Sequence, residues 1–319
     1  MLIVTGGAGF IGSNIVKGLN KHGRNDIIVV DDLTKGEQFL NISSCNIYDY
    51  MDKDDFRARL LTDSSFCEKI EAVFHEGACS STTEWNGKFM MDNNFEYSKI
   101  IFHKSMNHNF AFIYASSASV YGDNTIFREE PENEKTLNVY AYSKLLFDNY
   151  VRRYLKEIKN QVAGLRYFNV YGPGEFHKEK MASVAWHFYN QIKETGVCKL
   201  FEGIDGYENG GQKRDFVYVK DAVDVNIWLW QHPEISGIFN VGTGSAQTFN
   251  DMAEAVIKYL GKGKIEYINF PKNLKGRYQS FTQADITKLR QAGYDKEFKN
   301  AETGIFDYLS HIEGKRAEL

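Results

Sequence analysis

The chain has 319 residues, of which 43% are hydrophobic and 14% aromatic, and its formal net charge at pH 7 is −4. This composition is typical of a globular protein and excludes a disordered chain. Because there is no excess of basic residues, nucleic acid and anionic membranes are not expected as partners, and a small-molecule ligand is favoured.

Targeting signals and cross-links are not evident in the sequence. The first residues enter an apolar strand without a charged region or cleavage site, and no apolar run reaches the roughly 18 residues that a membrane span needs. The cysteines Cys45, Cys67, Cys79 and Cys198 have no CxxC spacing, so reduced thiols are expected and a zinc site is not. A cytoplasmic protein without a metal is therefore predicted.

A glycine-rich segment, TGGAGFIG at residues 5–12, follows the first apolar strand. Gly6 permits a tight turn, Gly9 lets the backbone approach a pyrophosphate, and Gly12 allows close packing of a helix that begins near Phe10. The amino end of that helix attracts an anion. A strand before the glycines and a helix after them is the context of a dinucleotide-binding loop.

The second apolar strand, residues 27–30, ends in Asp31. An acid at this position ordinarily binds the adenosine ribose and disfavours a 2′-phosphate, which favours NAD. Lys35 and Lys53 follow, and either one offers a cation for a 2′-phosphate. These residues alone leave the choice between NAD and NADP open.

Three further apolar strands, at residues 72–75, 111–115 and 162–167, alternate with helical stretches. This alternation predicts an α/β fold with a doubly wound parallel sheet. Ser117 follows the strand at residues 111–115. Its hydroxyl is therefore expected at the carboxyl end of the sheet, where open α/β sheets bind their ligands.

Tyr140 and Lys144, in the segment YAYSK, are four residues apart and share one helical face. The ammonium of Lys144 is expected to lower the pKa of the Tyr140 phenol, which would make the phenol a usable base near neutral pH. The spacing by itself also fits an ordinary contact on a helix surface. Together with Ser117 and the glycine loop, the pair predicts proton transfer at a carbinol.

A glycine–proline breaker at residues 171–174 marks the predicted end of the first domain. Aromatic and polar segments follow, and a glycine-rich turn precedes a predicted strand at residues 213–219. The apolar run at residues 237–241 is expected to rejoin the main sheet. We predict a cofactor-binding domain and a smaller α/β substrate domain that is discontinuous in sequence, which comprise residues 1–170 with about 220–244, and residues 171–219 with 245–319.

The motifs TGGAGFIG, SSASVYG, YAYSK, RYFNVYGP and RDFVYV occur in this order and cover most of the chain. The combination resembles the extended short-chain dehydrogenase/reductase group, the NAD-dependent epimerases and dehydratases, which act mainly on nucleotide sugars. Within that group, the segments HEGACSSTTEW, MMDNN, FHK, MASVA and LKGRYQSFTQAD resemble the ADP-heptose 6-epimerase family. The resemblance implies a Rossmann domain for NADP, a second domain for ADP-heptose, and a homopentamer.

The resemblance also implies a mechanism. Hydride would leave C6 of ADP-D-glycero-β-D-manno-heptose for tightly bound NADP, and a transient 6-ketone would turn in the pocket before hydride returned to its opposite face. The product would be the L-glycero epimer, which supplies heptose for the lipopolysaccharide inner core. Tyr140 and Lys178 would be the two acid–base groups, Ser117 would hold the reacting oxygen, and Lys144 would tune Tyr140.

Further contacts follow from the resemblance position by position. The expected cofactor contacts are Gly6, Gly9, Phe10, Ile11, Gly12, Asp31, Asp32, Lys53, His75, Glu76, Gly77, Ala78, Cys79, Ser80, Asn93, Tyr140, Lys144, Val170 and Lys178. The expected substrate contacts are Ser117, Asn169, Lys180, His187, Phe201, Glu202, Gly203, Ile204, Arg214 and Tyr278. Arg214 is the natural clamp for a diphosphate, because its planar guanidinium donates paired hydrogen bonds to phosphate oxygens. An ion pair with Asp215 is the alternative role for it.

Three features depart from the family pattern. Lys180 stands where a serine is common, Gln38 stands where a lysine near the adenosine phosphate is common, and residues 206–212 lengthen the loop before Arg214. NADP remains the expected cofactor because Lys53 is present, with NAD as the alternative.

Two other functions are compatible with parts of the pattern. A UDP-hexose 4-epimerase would use the same serine, tyrosine and lysine, whereas a 4,6-dehydratase is disfavoured because Ala118 and Ser119 stand where it carries Asp-Glu. A dinucleotide-sensing protein without catalysis is disfavoured because Ser117, Tyr140 and Lys144 are all present.

Overall fold

The computed structural model of the chain describes residues 1–271 and 278–316. The strands are β1 (Leu2–Thr5), β2 (Ile27–Asp31), β3 (Asp49–Asp52), β4 (Ala72–His75), β5 (Ala111–Ser117), β6 (Val162–Tyr167), β7 (Asn169–Tyr171), β8 (Val197–Phe201), β9 (Lys213–Arg214), β10 (Phe216–Tyr218), β11 (Gly237–Val241), β12 (Gln247–Thr248) and β13 (Lys264–Ile268). The α-helices are α1 (Phe10–Lys21), α2 (Phe39–Ile42), α3 (Lys53–Thr62), α4 (Ser64–Cys67), α5 (Gly87–Met90), α6 (Tyr97–His108), α7 (Val139–Tyr154), α8 (Val184–Thr195), α9 (Val219–Gln231), α10 (Phe249–Leu260), α11 (Thr287–Gln291) and α12 (Ala301–Arg316). Short 3₁₀ helices lie at Gly36–Gln38, Ala118–Tyr121, Pro131–Asn133 and Phe176–Met181, and a π-helical segment lies at Met91–Glu96.

Seven parallel strands form the main sheet, in the order β11-β6-β5-β4-β1-β2-β3. From β1 the chain builds outward through β2 and β3, and then crosses back to build β4, β5, β6 and β11 on the other side. This reversal confirms the predicted doubly wound fold. It also places a topological switch point between β1 and β4, where the crevice outside the carboxyl ends of the strands is open to a ligand.

Both faces of the sheet are buried around its central strands, which explains why β1, β2 and β4 are apolar along most of their length, whereas the edge strand β3 is polar. On one face, Val4 packs in a cluster with residues of α1 and α9 such as Leu19 and Val225. On the other face, Ile3 packs in a cluster with residues of α3 and α6 such as Leu60 and Ile101. The successive residues Ile3 and Val4 therefore point to opposite helix layers, as the pleat of a strand requires.

A further apolar cluster, separate from the two on the faces of the main sheet, joins α8, α10 and α12 to the strands β8 and β10. Phe188, Leu200, Tyr218, Val256 and Leu309 are among its buried members. Three small sheets accompany it: β10 pairs with β7, β12 with β9, and β13 with β8. The exact domain boundaries stay a prediction, and residues 274–277 of the LKGRYQSFTQAD segment lie outside the described residues.

The strand predicted at residues 213–219 is divided into β9 and β10 by Asp215. The buried carboxylate of Asp215 accepts hydrogen bonds from the backbone N–H groups of Thr243, Gly244 and Ala284, at 2.7, 3.0 and 3.0 Å. β9 consequently pairs with β12 and β10 with β7, while Val219 already begins α9. Residues 237–241 rejoin the main sheet beside β6, as expected.

No helix within residues 1–271 and 278–316 is long and apolar enough to cross a membrane.

Candidate active site

In the loop after β1, a side chain at Gly6 or Gly12 would collide with backbone atoms. Gly6 has φ +62°, and a Cβ on it would lie 2.6 Å from the backbone nitrogen of Gly77. A Cβ on Gly12 would lie 2.1 Å from the carbonyl oxygen of Gly6. Gly9 is the N-cap residue of α1 and has no side chain to cap the helix. The first amides of α1 therefore remain available to a bound anion. These features fit the pyrophosphate of a dinucleotide.

Asp31, at the end of β2, is turned toward this loop. Its carboxylate accepts the N–H groups of Ala8 and Asp32, each at 2.7 Å, and burial raises its pKa. Asp32 accepts the N–H of Thr34 at 2.9 Å. Hydrogen bonds from Thr34 lower the pKa of Asp32, and the charge of Lys53 adds to this effect, although the ammonium itself pairs with Asp54 at 2.9 Å. The carboxylates of Asp31 and Asp32 and the ammonium of Lys53 thus lie where the adenosine end of a dinucleotide is expected.

The predicted catalytic residues meet at the carboxyl end of β5. Ser117 is the last residue of the strand, and its Oγ accepts the N–H and the hydroxyl of Ser119 at 3.2 and 2.9 Å and lies near the phenol of Tyr140. Tyr140 lies in the first turn of α7, whose cap is Asn138. Lys144 is one turn further along the helix, and its Nζ donates to the carbonyl oxygen of Ala115 at 2.8 Å. The strand end and the helix start therefore bring all three functional groups together.

The pKa values in this cluster correct one expectation. The pKa of Tyr140 is raised, whereas the sequence predicted that it would be lowered. Burial raises the pKa of the phenol, Ser117 opposes that rise, and Cys79 and Glu76 add to it. The ammonium of Lys144 instead bonds to the strand carbonyl, and burial lowers its own pKa to about 8. Tyr140 is therefore a protonated acid until a bound ligand changes the charge around it.

A buried ion network fixes α7 against the sheet. Asp148 on α7 accepts hydrogen bonds from the hydroxyls of Tyr114 and Ser116 on β5, at 3.0 and 2.9 Å, and from Nε of Arg166 on β6 at 2.9 Å. Asp148 and Arg166 are fully buried. The network lies one turn beyond Lys144 and sets the position of α7 relative to Ser117. Sequence reasoning gave Asp148 no role, because no local pattern shows that its partners lie on two different strands.

His75, expected as a cofactor contact, uses its side chain inside the fold. Nδ1 lies 2.6 Å from Oγ1 of Thr5, and Nε2 lies 2.9 Å from the hydroxyl of Ser98. Burial lowers the pKa of His75 to about 3, so the imidazole is neutral. It joins β4 to β1 and α6, and only its backbone remains for a ligand.

Glu76 places a carboxyl group beside the catalytic pair. Its Oε1 accepts the hydroxyl of Tyr167 at 3.0 Å, and that hydroxyl accepts Nδ2 of Asn226 at 2.7 Å. Burial raises the pKa of Glu76 to about 7, with Tyr167 and Lys144 opposing the rise. This side chain therefore changes charge near neutral pH close to Lys144.

The loop after β4 is held by Asn94, which the sequence analysis did not single out. Asn94 accepts the N–H of Cys79 at 2.8 Å and donates to its carbonyl oxygen at 3.0 Å. It also donates to the hydroxyl of Ser143 at 3.1 Å and accepts Nδ2 of Asn93 at 3.1 Å. The loop with the expected contacts Gly77, Ala78, Cys79 and Ser80 is thereby tied to α7. The sequence signal that could have indicated a role for Asn94 is the pair of adjacent asparagines in MMDNN.

Lys178 lies beside the glycine loop. Its Nζ is 5.3 Å from the ring centre of Phe10, the first residue of α1, and burial lowers its pKa. The segment is shaped by Glu175, whose carboxylate accepts the N–H and hydroxyl of Ser183 at 2.5 and 2.7 Å. A half-buried amine whose pKa is lowered gives up its proton more readily than an exposed lysine does. The neighbouring Lys180 is exposed.

Arg214 is a buried cation that forms no salt bridge within residues 1–271 and 278–316. Its guanidinium lies 4.9 Å from the ring centre of Tyr278 and 5.8 Å from that of Phe249, and Nη1 donates to the carbonyl of Lys213 at 2.9 Å. Among the described residues, no carboxylate forms a salt bridge with it, and burial lowers its pKa. The alternative pairing with Asp215 is absent, because that carboxylate holds backbone amides. A buried, unpaired guanidinium is suited to an anionic ligand.

The other expected contacts lie around these groups. Asn169 is exposed at the start of β7, and Oγ1 of Thr282 lies 3.5 Å from its Oδ1. His187 is half-buried on α8. Ile11 and Val170 pack against the apolar clusters, and Phe201 ends β8 just before Glu202, Gly203 and Ile204. Their direct contacts with ligands stay predictions. The described residues contain no group of three His, Cys, Asp or Glu side chains arranged for a metal ion.

Comparison with known proteins gives consistent results. The model of the NAD dependent epimerase/dehydratase family matches residues 2–242. The ADP-L-glycero-D-manno-heptose-6-epimerase of Alkalilimnicola ehrlichii is 59% identical over 312 residues, which is 98% of this chain and 97% of that relative.

Two solved structures share the whole fold. The ADP-L-glycero-D-manno-heptose-6-epimerase of Helicobacter pylori matches with a TM-score of 0.83 and 31% identity, over 98% of this chain and 96% of that one. The UDP-glucose 4-epimerase of Thermotoga maritima, solved with UDP-glucose, matches with a TM-score of 0.79 and 28% identity, over 98% and 99% of the two chains.

Proposed function

The chain belongs to the NAD dependent epimerase/dehydratase family, and from this premise we propose that it epimerises ADP-D-glycero-β-D-manno-heptose at C6 to the L-glycero form. The chemistry rests on one observation, which is that Ser117, Tyr140 and Lys144 lie together at the carboxyl end of β5. The choice of ADP-heptose is supported by the relatives that carry this activity in their names.

The glycine loop and Asp31 are the residues that would hold a nicotinamide dinucleotide. When bound, such a cofactor takes hydride from a carbinol carbon and returns it to the resulting ketone. We favour NADP over NAD because Lys53 supplies a cation near Asp32, while the carboxylate of Asp31 already accepts two backbone amides.

Ser117 and Tyr140 would act on the C6 oxygen. Ser117 holds that oxygen by a hydrogen bond, and Tyr140 removes the hydroxyl proton as the carbinol becomes a ketone. Lys144 stabilises the phenolate that this transfer requires, once a ligand has displaced water from the cleft. When hydride returns to the opposite face, a proton from a second acid would complete the neutral product, and exchange with solvent would restore the proton of that acid and remove the proton held by Tyr140.

A second proton donor is needed because hydride returns to the opposite face of the ketone. The C6 group must turn within the pocket, and its oxygen then faces a different side chain. Lys178 is suited to this role because burial lowers its pKa and its ammonium lies beside Phe10 at the glycine loop. Tyr140 and Lys178 would therefore each serve one epimer.

Arg214 and Tyr278 would bind the diphosphate of the substrate. The guanidinium has no acidic partner among the described residues, so phosphate oxygens would complete its hydrogen bonding. A cytoplasmic location, a role in lipopolysaccharide synthesis and a homopentameric assembly belong to the same proposal and rest on family resemblance.

The proposal is tested by incubating the purified protein with ADP-D-glycero-β-D-manno-heptose, without added cofactor, and following the C6 configuration by proton NMR. We expect the L-glycero epimer to form, because the cofactor is regenerated in each turnover and remains with the protein. If the heptose stays unchanged after NADP or NAD is added, while UDP-glucose becomes UDP-galactose, the protein is a 4-epimerase.

A further inference from the structure

The short helix α2 buries a polar residue and exposes apolar ones. Phe39 and Leu40 are 52% and 48% exposed, whereas Asn41 is 1% exposed. A buried side-chain amide is costly unless it is hydrogen-bonded. The partners of Asn41 therefore explain its position, and they lie in two other parts of the chain.

The side-chain amide of Asn41 joins the glycine loop to the Lys178 segment (residues 173–178). Its Nδ2 lies 3.0 Å from the carbonyl oxygen of Ala8 and 3.1 Å from that of Gly174. The same nitrogen lies 3.3 Å from Nδ1 of His177. Its two hydrogens are thus shared among three acceptors, of which two belong to the Lys178 segment.

His177 is able to accept this hydrogen bond. Burial lowers the pKa of its imidazole, and the charge of Lys178 adds to the effect. The ring is therefore neutral at pH 7, and Nδ1 is an acceptor when the proton lies on Nε2. His177 directly precedes Lys178, so the bond from Asn41 acts one residue away from the proposed proton donor.

The backbone at Lys178 is strained and needs support from outside the segment. Glu179 has φ +51° and ψ −120°, a sparsely populated conformation that costs about 1–3 kcal/mol. The N–H of Lys178 donates to the carbonyl oxygen of Glu175 at 2.9 Å, which ties the lysine only to its own segment. An ion pair joins Lys35 to Glu179 at 3.2 Å, but both side chains are largely exposed, so it contributes little.

A second asparagine holds the start of the same segment. Nδ2 of Asn14 on α1 donates to the carbonyl oxygens of Phe10 and Pro173, at 2.8 and 2.7 Å. The ring of Phe10 is the surface beside which Nζ of Lys178 lies. Asn14 reaches only the first residue of the segment, whereas Asn41 reaches the residue next to Lys178.

We infer that Asn41 is a positioning residue for Lys178, which it holds beside the glycine loop through Gly174 and His177. This inference rests on the proposed function, because it concerns the second proton donor of that reaction. Asn41 lies outside the contacts that the family resemblance implies, and it acts on no reacting atom itself. Without it the Lys178 segment should shift, and a misplacement of about 1 Å can slow a reaction by about 10²-fold.

The test is a double-mutant cycle with Asn41→Leu, Lys178→Met and the double variant. The kcat for ADP-heptose is measured by NMR with saturating NADP, so that weaker cofactor binding does not limit the rate. We expect Asn41→Leu to lower kcat about tenfold in the wild type. In the Lys178→Met background it should lower kcat much less, because the side chain that it positions is already absent. A residue that only supported the fold would lower both rates by the same factor.

Asn20→Leu is the matched control. Nδ2 of Asn20 donates to the carbonyl oxygens of Arg24 and Asn46, at 2.8 and 2.7 Å, near the opposite end of α1. This variant also loses an asparagine that joins two segments, but it should keep the kcat of the wild type. Thermal unfolding compares its stability with that of Asn41→Leu.

His177→Leu is a second variant that keeps the test decisive if Asn41→Leu does not fold. It removes the Nδ1 acceptor from a half-buried side chain and leaves the bonds of Asn41 to Ala8 and Gly174 in place. We expect it to lower kcat in the wild type and much less in the Lys178→Met background.

The outcomes separate this inference from the proposed function. If Lys178→Met is slow but Asn41→Leu has the same effect with and without Lys178, or no effect, the inference is overturned and the two-base mechanism stands. If Lys178→Met keeps the wild-type rate, the second-base assignment fails and the inference fails with it. If the wild type converts UDP-glucose and not ADP-heptose, the cycle is measured on UDP-glucose. A Lys178-dependent effect of Asn41→Leu would then support the positioning role while the ADP-heptose assignment failed.

Discussion

Lys144 is buried in the cleft, and Tyr140 and Lys178 are half-buried. The pKa shifts of all three groups favour their uncharged forms. Burial raises the pKa of Tyr140, lowers that of Lys144 to about 8, and lowers that of Lys178. Groups that exchange protons work best with pKa values near the working pH. Both lysines are shifted in that direction, whereas Tyr140 needs a favourable charge from the bound ligands to become a base.

The two-base proposal predicts how single and double variants behave. Tyr140→Phe and Lys178→Met should each retain the cofactor and slow epimerisation by about 10²-fold, because each removes one proton-transfer group. The double variant should be nearly inactive. Rates are followed by NMR and bound cofactor by absorbance, and Tyr142→Phe, an exposed tyrosine on the same helix, serves as the control. Full activity of the double variant would show that the assignment of the two bases is wrong.

Glu76 predicts a pH-dependent stability. Its pKa is raised from 4.5 to about 7 in the folded protein, so between these values the unfolded chain ionises while the folded chain keeps its proton. The stability that Glu76 contributes is thus present below about pH 4.5 and is lost as the pH rises through about 7. The full difference corresponds to at most about 3 kcal/mol.

Urea unfolding at about pH 5 and about pH 8, without added cofactor, checks this effect in the wild type and in Glu76→Gln. The wild type should lose stability relative to Glu76→Gln at the higher pH, and the exposed Glu132→Gln variant should follow the wild type. Parallel pH dependence of the wild type and Glu76→Gln would exclude Glu76 as the titrating group.

At the level of single residues, the sequence predicted which side chains meet better than it predicted their charge. Ser117, Tyr140 and Lys144 could be placed together because a strand end and a helical spacing are local patterns. The direction in which the pKa of Tyr140 shifts could not be predicted, because it depends first on burial in the folded chain and then on Ser117 and on Cys79 and Glu76 from the loop after another strand. Asn94 and Asp148 were missed for the same reason.

At the level of elements, long apolar strands were predicted and short or polar ones were not. The strand β3 has the sequence DYMD and lies at the edge of the sheet, where its side chains are largely exposed. β8 pairs with β13, which lies more than 60 residues later in the chain. No local sequence pattern therefore indicates this pairing. The glycine loop was predicted in full, since strand, turn and helix follow one another directly.

The loop at residues 206–212 shows the same limit. Its Asn-Gly sequence predicts a turn, and the N–H of Gly211 donates to the carbonyl oxygen of Glu208 at 2.9 Å across that turn. The sequence does not show that the carbonyl oxygen of Tyr207 lies against Gly203, or that Asp205, just before the loop, accepts the hydroxyl of Ser280, because no local pattern indicates either contact. The effect of the loop on substrate contacts stays a prediction.

At the scale of the whole molecule, two bodies of structure supply different parts of the site. The switch point of the main sheet carries the glycine loop, Ser117 and the catalytic helix α7. The cluster around α8, α10 and β10 lies next to Arg214, which reaches the same region through β9. Under the proposed function, the main sheet would carry the chemistry at the carbinol and the second cluster would carry recognition of the nucleotide.

The most direct test uses ADP-D-glycero-β-D-manno-heptose with deuterium at C6, in ordinary water and without added cofactor. If C6 is inverted by hydride transfer and return, NMR will show the L-glycero product with its deuterium retained. Loss of deuterium to the solvent during inversion would show that the C6 hydrogen leaves as a proton, and reversible oxidation would be contradicted.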